Sequence, residues 1–478
     1  MPAPHERTDI RVQAERIVLA AVRLPNDRYN PADPFGELAE LARQAGGVVV
    51  GQIEQRRDRP VAGTFMGLGK IEELKHLCDE QNATTIIFDH DLSPKQISKI
   101  EQLTGRKVLD RSELILDIFA SRATSHEAKL QVELAQLEYT YPRLRAMWDH
   151  LERIVGVGGV GGVGTRGPGE QQLEIDRRLV QRRKIALQRE LDEIQQRKRR
   201  AVQQRNLEHF TVGLVGYTNA GKSTLFNTLT AGGAYADDRL FATLMTRTRQ
   251  WDLGGGNVVM LSDTVGFVRD LPHQLVASFR ATLEEATHAD LLLIVLDVSD
   301  PAAELHLETV NSTLDGLFEE VAERERRARR AAERDGASPS LWEPPKRVLL
   351  LNKVDRLKDN RELLVWKAKV PDAIPICALP PDVAPECIGH EALREKVLAE
   401  MQGEVLEVRA RVPLADARTV HALESRGQVL AREYAPDAVT LTVRIGRRVL
   451  DRIRAAARGL TLEPPPGRTP PRDECSGW

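Results

Sequence analysis

The segment Gly216-Tyr217-Thr218-Asn219-Ala220-Gly221-Lys222-Ser223 leaves its chain fewer choices than any other stretch of this sequence. It follows an apolar run, Phe210-Thr211-Val212-Gly213-Leu214-Val215, that reads as a strand, and it opens into the helical Thr224-Leu225-Phe226. Glycines at this spacing let the backbone wrap a chain of phosphates with its N–H groups, and the helix N-terminus adds a positive dipole. Lys222 is placed to reach the β- and γ-phosphates, and the Ser223 hydroxyl to bind Mg²⁺.

Two further motifs follow, each at the end of an apolar strand. Val258-Val259-Met260-Leu261-Ser262 runs into Asp263-Thr264-Val265-Gly266. Asp263 suits a magnesium ion, and the Gly266 N–H suits a γ-phosphate. Val348-Leu349-Leu350-Leu351 runs into Asn352-Lys353-Val354-Asp355. A carboxylate at Asp355 can accept from guanine N1–H and the exocyclic amine, which adenine cannot offer. Lys353 is expected over the base, with Asn352 tying the base to the loop. Ile376-Cys377-Ala378 falls where a backbone contact to the guanine oxygen is expected, with Cys377 in place of the usual serine. Between Ser223 and Asp263, Phe241-Ala242-Thr243-Leu244-Met245 is the expected first switch. There Thr243 would complete the magnesium shell, with Thr246 and Thr248 as rivals. Together these residues imply binding and hydrolysis of GTP, with GDP as product and Mg²⁺ as cofactor.

The residue after Gly266 is Phe267. Ras-like enzymes carry a glutamine there to orient the attacking water, and phenylalanine has neither donor nor acceptor for it. Either intrinsic turnover is slow and completed by a partner or another group orients the water, and packing of the switch loop is a compatible role for Phe267. Asn219 is a candidate to hold a stimulating K⁺, against the simpler reading that it shapes the loop.

The remaining texture predicts an α/β chain of several parts. Residues 1–125 alternate short apolar runs with helical stretches, a small α/β domain with a mostly parallel sheet. Over 126–207, Leu130, Leu134, Leu137, Leu144 and Leu151 share a helix face, as do Leu173, Val180, Leu187 and Ile194. Between them lies the glycine-rich run from Gly156 to Gly169, so a long antiparallel helical hairpin is expected, with Pro142 kinking or restarting its first helix. The second helix is crowded with arginine and lysine, Arg197-Lys198-Arg199-Arg200 among them. Residues 208–402 are the nucleotide-binding domain with a central, mostly parallel sheet, interrupted by Ala322–Ser340. That stretch, dense in Arg, Glu and Ala, reads as an extended charged helix or a disordered insert. A small α+β module over 403–462 and a disordered tail over 463–478 complete the chain.

Net charge is −2, so there is no global basic field, and any basic patch is local. The four cysteines lack CxxC spacing, which speaks against a zinc site or a disulfide framework. His126 and His209 have no partners at metal-ligand spacing. No apolar run approaches the ~20 residues of a membrane span, and the first residues are polar without a signal core. The expected address is the cytoplasm, a position peripheral to a membrane being compatible with it, and monomer is the default state.

The P-loop and switch residues, with the glycine-rich loop, resemble the HflX family of translational GTPases. The resemblance runs through Gly67-Leu68-Gly69-Lys70, Leu109-Asp110-Arg111-Ser112, Arg166-Gly167-Pro168-Gly169-Glu170, Leu173-Glu174 and Asp176-Arg177-Arg178. It spans about Ile17 to Ile453 and implies binding to the large (50S) ribosomal subunit and its rRNA, not DNA, with ribosome splitting or rescue under stress, or ribosome biogenesis, as the role. Met245-Thr246-Arg247-Thr248-Arg249 departs from the family's usual Asp-Pro-Thr-Thr-Arg, and the charged insert before Asn352 is longer than usual. A competing reading is a GTP switch whose hairpin docks a protein effector. A third, weaker one is a second nucleotide at Gly67–Lys70, a spacing too short for a P-loop and better suited to a structural turn.

Overall fold

The computed structural model describes residues 15–25, 27, 29–156, 168–230, 247–269, 285–334, 342–357, 359, 361–380, 388–457 and 459–463. They divide into two compact units: the first holds the described residues up to Arg197, rejoined by Val268 and Arg269, and the second holds the rest from Lys198.

In the first unit, β1 (Arg16–Arg23), β2 (Val48–Arg56), β3 (Thr85–Phe88) and β4 (Lys107–Asp110) form a parallel sheet in the order β2-β1-β3-β4. The two inner strands, β1 and β3, are apolar almost throughout because helices cover both faces, as parallel sheets require. Those helices are α1 (Gly36–Gln44), α2 (Leu68–Glu80), α3 (Pro94–Thr104) and α4 (Arg111–Arg122). Gly67 caps α2 and donates its N–H to Gln55 Oε1 at 2.8 Å, while Lys70 pairs with Glu73, so this segment serves as a helix start.

At the carboxyl ends of β1 and β3 sits a buried ionic cluster. Asp89, 3% exposed, binds Arg23, Arg111 and Arg269, each at 2.9 Å. Arg111, 1% exposed, also meets Glu37 at 2.9 Å and donates to the Arg269 carbonyl. Burial alone raises the Asp89 pKa, but Arg111, Arg269 and Arg23 outweigh it and hold the carboxyl below its usual range.

Helices α5 (His126–Gly156) and α6 (Pro168–Glu208) carry the expected hairpin. Leu130, Leu134, Leu187 and Leu191 bury one another, flanked by Leu137 and Ile194. The Arg183–Glu133 ion pair at 2.8 Å and the His126–Glu190 hydrogen bond at 2.8 Å run in the antiparallel sense. Helix α5 runs on through Pro142, so it does not restart there. Most of the glycine-rich loop lies outside the described residues.

The second unit contains a six-stranded sheet ordered β10-β9-β8-β5-β7-β6. Its strands are β5 (Phe210–Gly216), β6 (Arg247–Gly254), β7 (Asn257–Asp263), β8 (Leu291–Asp297), β9 (Lys346–Asn352) and β10 (Ile374–Pro375), and all pairings are parallel except β6 with β7. Helices α7 (Lys222–Leu229), α8 (Ala303–Arg334), α9 (Arg361–Lys369) and α10 (His390–Gln402) accompany it. Among the described residues no helix is long and apolar enough to cross a membrane.

The rest of this unit reads β11 (Val405–Pro413), α11 (Ala417–Arg426), β12 (Gln428–Tyr434), β13 (Ala438–Gly446), α12 (Arg447–Ala456) and β14 (Thr461–Glu463). The order β12-β13-β11-β14, antiparallel throughout, is the split βαβ arrangement of ferredoxin-like folds. The fold is therefore α/β with a parallel-rich nucleotide-binding sheet and a further C-terminal sheet, as the sequence implied.

Candidate nucleotide site

The site forms where the carboxyl ends of β5, β7, β9 and β10 meet the start of α7, the position parallel sheets favour for ligands. β5 is buried along its whole length between β7 and β8, which fixes where its loop leaves the sheet. Two glycines of that loop are irreplaceable. Gly216 has φ +155°, and a Cβ there would lie 2.3 Å from the Val295 carbonyl oxygen. Gly221 has φ +94°, and a Cβ there would meet Asn352 Nδ2 at 2.3 Å. Asn219 takes the left-handed conformation at φ 61°, which asparagine tolerates better than most residues.

Lys222 is 6% exposed and donates to the carbonyls of Gly216 at 3.1 Å and Tyr217 at 2.6 Å. Burial pushes its ammonium down to about 8 from the ordinary 10.5; the Asp263 carboxylate opposes that shift and Lys353 adds to it. Ser223 donates to Asp263 Oδ2 at 2.7 Å, so an alcohol and a carboxylate oxygen converge. That is the hard oxygen donor set Mg²⁺ takes. Thr264 donates to the Leu214 carbonyl at 2.7 Å and locks the end of β7 to β5.

Gly266 lies against the P-loop. A Cβ on it would be 2.8 Å from Thr218 Cγ2 and 3.0 Å from Lys222 Nζ. Phe267, 5% exposed, continues the contact: its N–H donates to the Gly216 carbonyl at 3.0 Å and its carbonyl accepts from the Thr218 N–H at 2.8 Å. Tyr217 stacks on His306 of α8, centroids 3.9 Å apart.

At the other end, Asn352 is fully buried and donates to the Ala220 carbonyl at 2.7 Å while accepting from the Ala378 N–H at 3.0 Å. It therefore joins the P-loop to the Ile376–Ala378 turn instead of facing outward. Thr228 of α7 donates to the Ala378 carbonyl at 2.8 Å, and His390 donates to that of Cys377 at 2.8 Å. Lys353, with φ 62°, meets Asp297 at 2.6 Å. Asp355, in the turn Val354–Arg356, is exposed.

The structure thus brings Gly216 through Thr224, Asp263 through Gly266, Asn352 through Asp355 and Ile376 through Ala378 to one edge of the sheet. Phe241 through Met245, with Thr243, and Thr246 lie outside the described residues. Thr248 sits on β6, 3.2 Å from Ser262 and 3.1 Å from Glu285. Sequence reasoning missed Asp297; its signal was an acid closing an apolar strand, in register with Asn352. It also missed His306, which no local pattern marks.

Residues 33–120 match the family described as GTP-binding GTPase N-terminal, 122–205 the GTP-binding GTPase Middle Region, and 211–328 the 50S ribosome-binding GTPase family. The chain is 36% identical to GTPase HflX of Caldanaerobacter subterraneus subsp. tengcongensis over 450 residues, 93% of this chain and 94% of the relative. It is 36% identical to GTPase HflX of Escherichia coli K12 over 451 residues, covering 91% and 94%. Among solved structures, a GTP-binding protein from Sulfolobus solfataricus in complex with GDP is 26% identical, with 81% of this chain and 98% of that one covered at a TM-score of 0.39. With the three families covering most of its length and the relatives nearly all of it, this chain belongs to the HflX family of P-loop GTPases.

Proposed function

We propose that this GTPase binds GTP with Mg²⁺, hydrolyses it slowly alone, and associates with rRNA of the large (50S) ribosomal subunit, which stimulates it. Splitting or rescue of ribosomes under stress, or ribosome biogenesis, is the role this serves. The observation that carries the reading is the convergence of Lys222, Ser223–Asp263, Gly266 and Asn352 on one sheet edge.

Lys222 supports bound β- and γ-phosphates by exchanging its two carbonyl acceptors for phosphate oxygens. Ser223 and Asp263, with Thr243 of the first switch, would hold Mg²⁺, which would supply charge neutralisation at the phosphates. Gly266 presents its N–H to the γ-phosphate. To do so Gly266 and Phe267 withdraw from Lys222 and Thr218, at the expense of the two Phe267 backbone bonds. Asp355 accepts from the guanine edge, and Lys353 covers the base. The backbone of Cys377 and Ala378 closes the pocket around the guanine oxygen. No side chain at Phe267 orients water, which favours an activator. Asn219 would be the residue to hold K⁺, which would supply further charge stabilisation in the transition state.

The basic second helix of the hairpin and its glycine loop suit rRNA phosphates. Co-sedimentation with 30S and 50S subunits in GTP against GDP, with hydrolysis measured in parallel, tests the reading. Binding to the 50S in GTP and faster hydrolysis there support it. Neutralising Arg197, Lys198, Arg199 and Arg200 is expected to weaken subunit binding while GTP affinity holds. If ribosomes leave both position and rate unchanged while GTP is hydrolysed, the hairpin serves a protein effector instead.

A further inference from the structure

Helix α8 changes character along its length. Val310, Leu314, Leu317, Phe318 and Val321 are buried at three- and four-residue intervals, the stripe that packs a helix on a sheet. Past Val321 the helix continues for about 20 Å at 1.5 Å per residue. From Ala322 to Arg330 none of the described side chains is buried. Residues 323–334, Glu-Arg-Glu-Arg-Arg-Ala-Arg-Arg-Ala-Ala-Glu-Arg, contain six arginines, three glutamates, no lysine and nothing apolar beyond alanine.

This composition discriminates between occupants. A protein-binding helix needs apolar or aromatic anchors that fill pockets, and this one has none. A helix lying on a lipid surface needs a continuous apolar face, which alanine alone does not supply. What it offers is guanidinium charge on a rigid rod. Arg326 and Arg330 stand one turn apart on one face, make no ion pair among the described residues, and repel each other. Arg327 is 82% exposed by side chain, and its contact with Glu323 at 3.3 Å is a surface pair of little strength, readily exchanged for phosphate. Arginine without lysine favours bidentate phosphate recognition.

We infer that the overhanging end of α8 is a second RNA-binding arm that grips phosphates of a duplex through Arg326, Arg327 and Arg330. It goes beyond the ribosome reading and uses no hairpin residue, so either can fail without the other. The overhang lies at the end of the sheet opposite the nucleotide. Phe318 and Asp315 of α8 contact Arg347 at the start of β9, whereas Asn352 at its far end lines the site. Nucleotide binding therefore serves as an internal control.

The test uses the full chain and a fluorescein-labelled RNA duplex of about 20 base pairs. The triple variant Arg326→Gln, Arg327→Gln, Arg330→Gln keeps helix propensity, glutamine being close to arginine. Its log–log salt dependence of duplex binding is expected to be shallower by about two, at roughly 0.7 to 0.9 for each phosphate no longer neutralised, with GDP affinity and far-ultraviolet ellipticity unchanged. The matching Arg→Lys triple is expected to retain the native slope. An unchanged slope in the glutamine variant overturns the inference. So does an equal change in the lysine variant, which places the effect in the helix and not its charge. Weakened binding confined to phosphatidylserine vesicles or polyglutamate, with duplex binding intact, assigns the arm to another polyanion and equally overturns it.

Discussion

A buried lysine that waits for phosphate should reveal itself through protons. The Lys222 ammonium is pushed down to about 8 from its ordinary 10.5, a net penalty of roughly 3 kcal/mol in which burial outweighs the Asp263 carboxylate. The β-phosphate of GDP supplies counter-charge and raises the pKa again. Binding then draws a proton from solution whenever the nucleotide-free site has lost it. The linked affinity falls by a factor of 1 + 10^(pH − 8), which is about twofold at pH 8 and sevenfold at pH 8.8. Proton uptake per GDP bound should be about 0.1 at pH 7, 0.5 at pH 8 and 0.9 near pH 8.8. Calorimetric titration of GDP in buffers of different ionisation enthalpy measures that uptake directly, and fluorescent GDP binding measures the affinity. The sign is fixed: a lysine whose pKa is depressed in the free site and restored by ligand can only weaken binding as pH rises. Flat affinity and no uptake from about pH 7 to 8.8 would refute the claim that desolvation governs this lysine.

Three other substitutions probe separate parts of the molecule. Asp355→Asn should lower GTP affinity and shift preference toward xanthosine nucleotides, since a site built on buried pairing discriminates by ~10⁴-fold; side-by-side GTP and XTP titrations decide it. Gly266→Ala places a Cβ 2.8 Å from Thr218 Cγ2 and 3.0 Å from Lys222 Nζ, so single-turnover hydrolysis should fall about a hundredfold from misplacement of the switch, with GDP binding largely kept. Asp89→Asn leaves Arg23, Arg111 and Arg269 without their shared carboxylate and should destabilise the first unit by about 3–5 kcal/mol, read as a lowered thermal transition of the full chain. Because the Asp89 pKa is depressed, the wild-type stabilisation is present above the unfolded carboxylate pKa of about 4 and is lost as pH falls below it. The gap between variant and wild type should therefore narrow in acid.

Legibility in the sequence followed the range of the interactions. The P-loop, Asp263–Gly266 and Asn352–Asp355 were readable because each is a short segment whose strand, turn and chemistry are contiguous. The parallel sheets were readable for the same reason, from apolar runs separated by helices. The Asp89 cluster was not, because its members come from the ends of β1 and β4 and from Arg269, which is 180 residues away. The continuity of α5 through Pro142 was also hidden, since proline's local geometry allows either a kink or a restart and does not decide between them. Asn352 was legible as a member of the candidate site but not as the brace between two loops, a role that depends on Ala220 and Ala378 arriving beside it.

That brace also sets an order of events during synthesis. The P-loop leaves the ribosome early, but the carbonyl of Ala220 must wait for Asn352, 132 residues later in the chain, and Asn352 waits a further 26 for the N–H of Ala378. At 5–20 residues per second the first interval alone is roughly 7–26 s. Over that time the loop lacks its brace, and until β7 and β8 are made β5 lacks the two strands that bury it. Preference for the guanine base is thus completed late: a chain stalled before β10 carries Asp355 but lacks the Ala378 N–H that fixes Asn352 beside the P-loop, and should select guanine less sharply than the full chain.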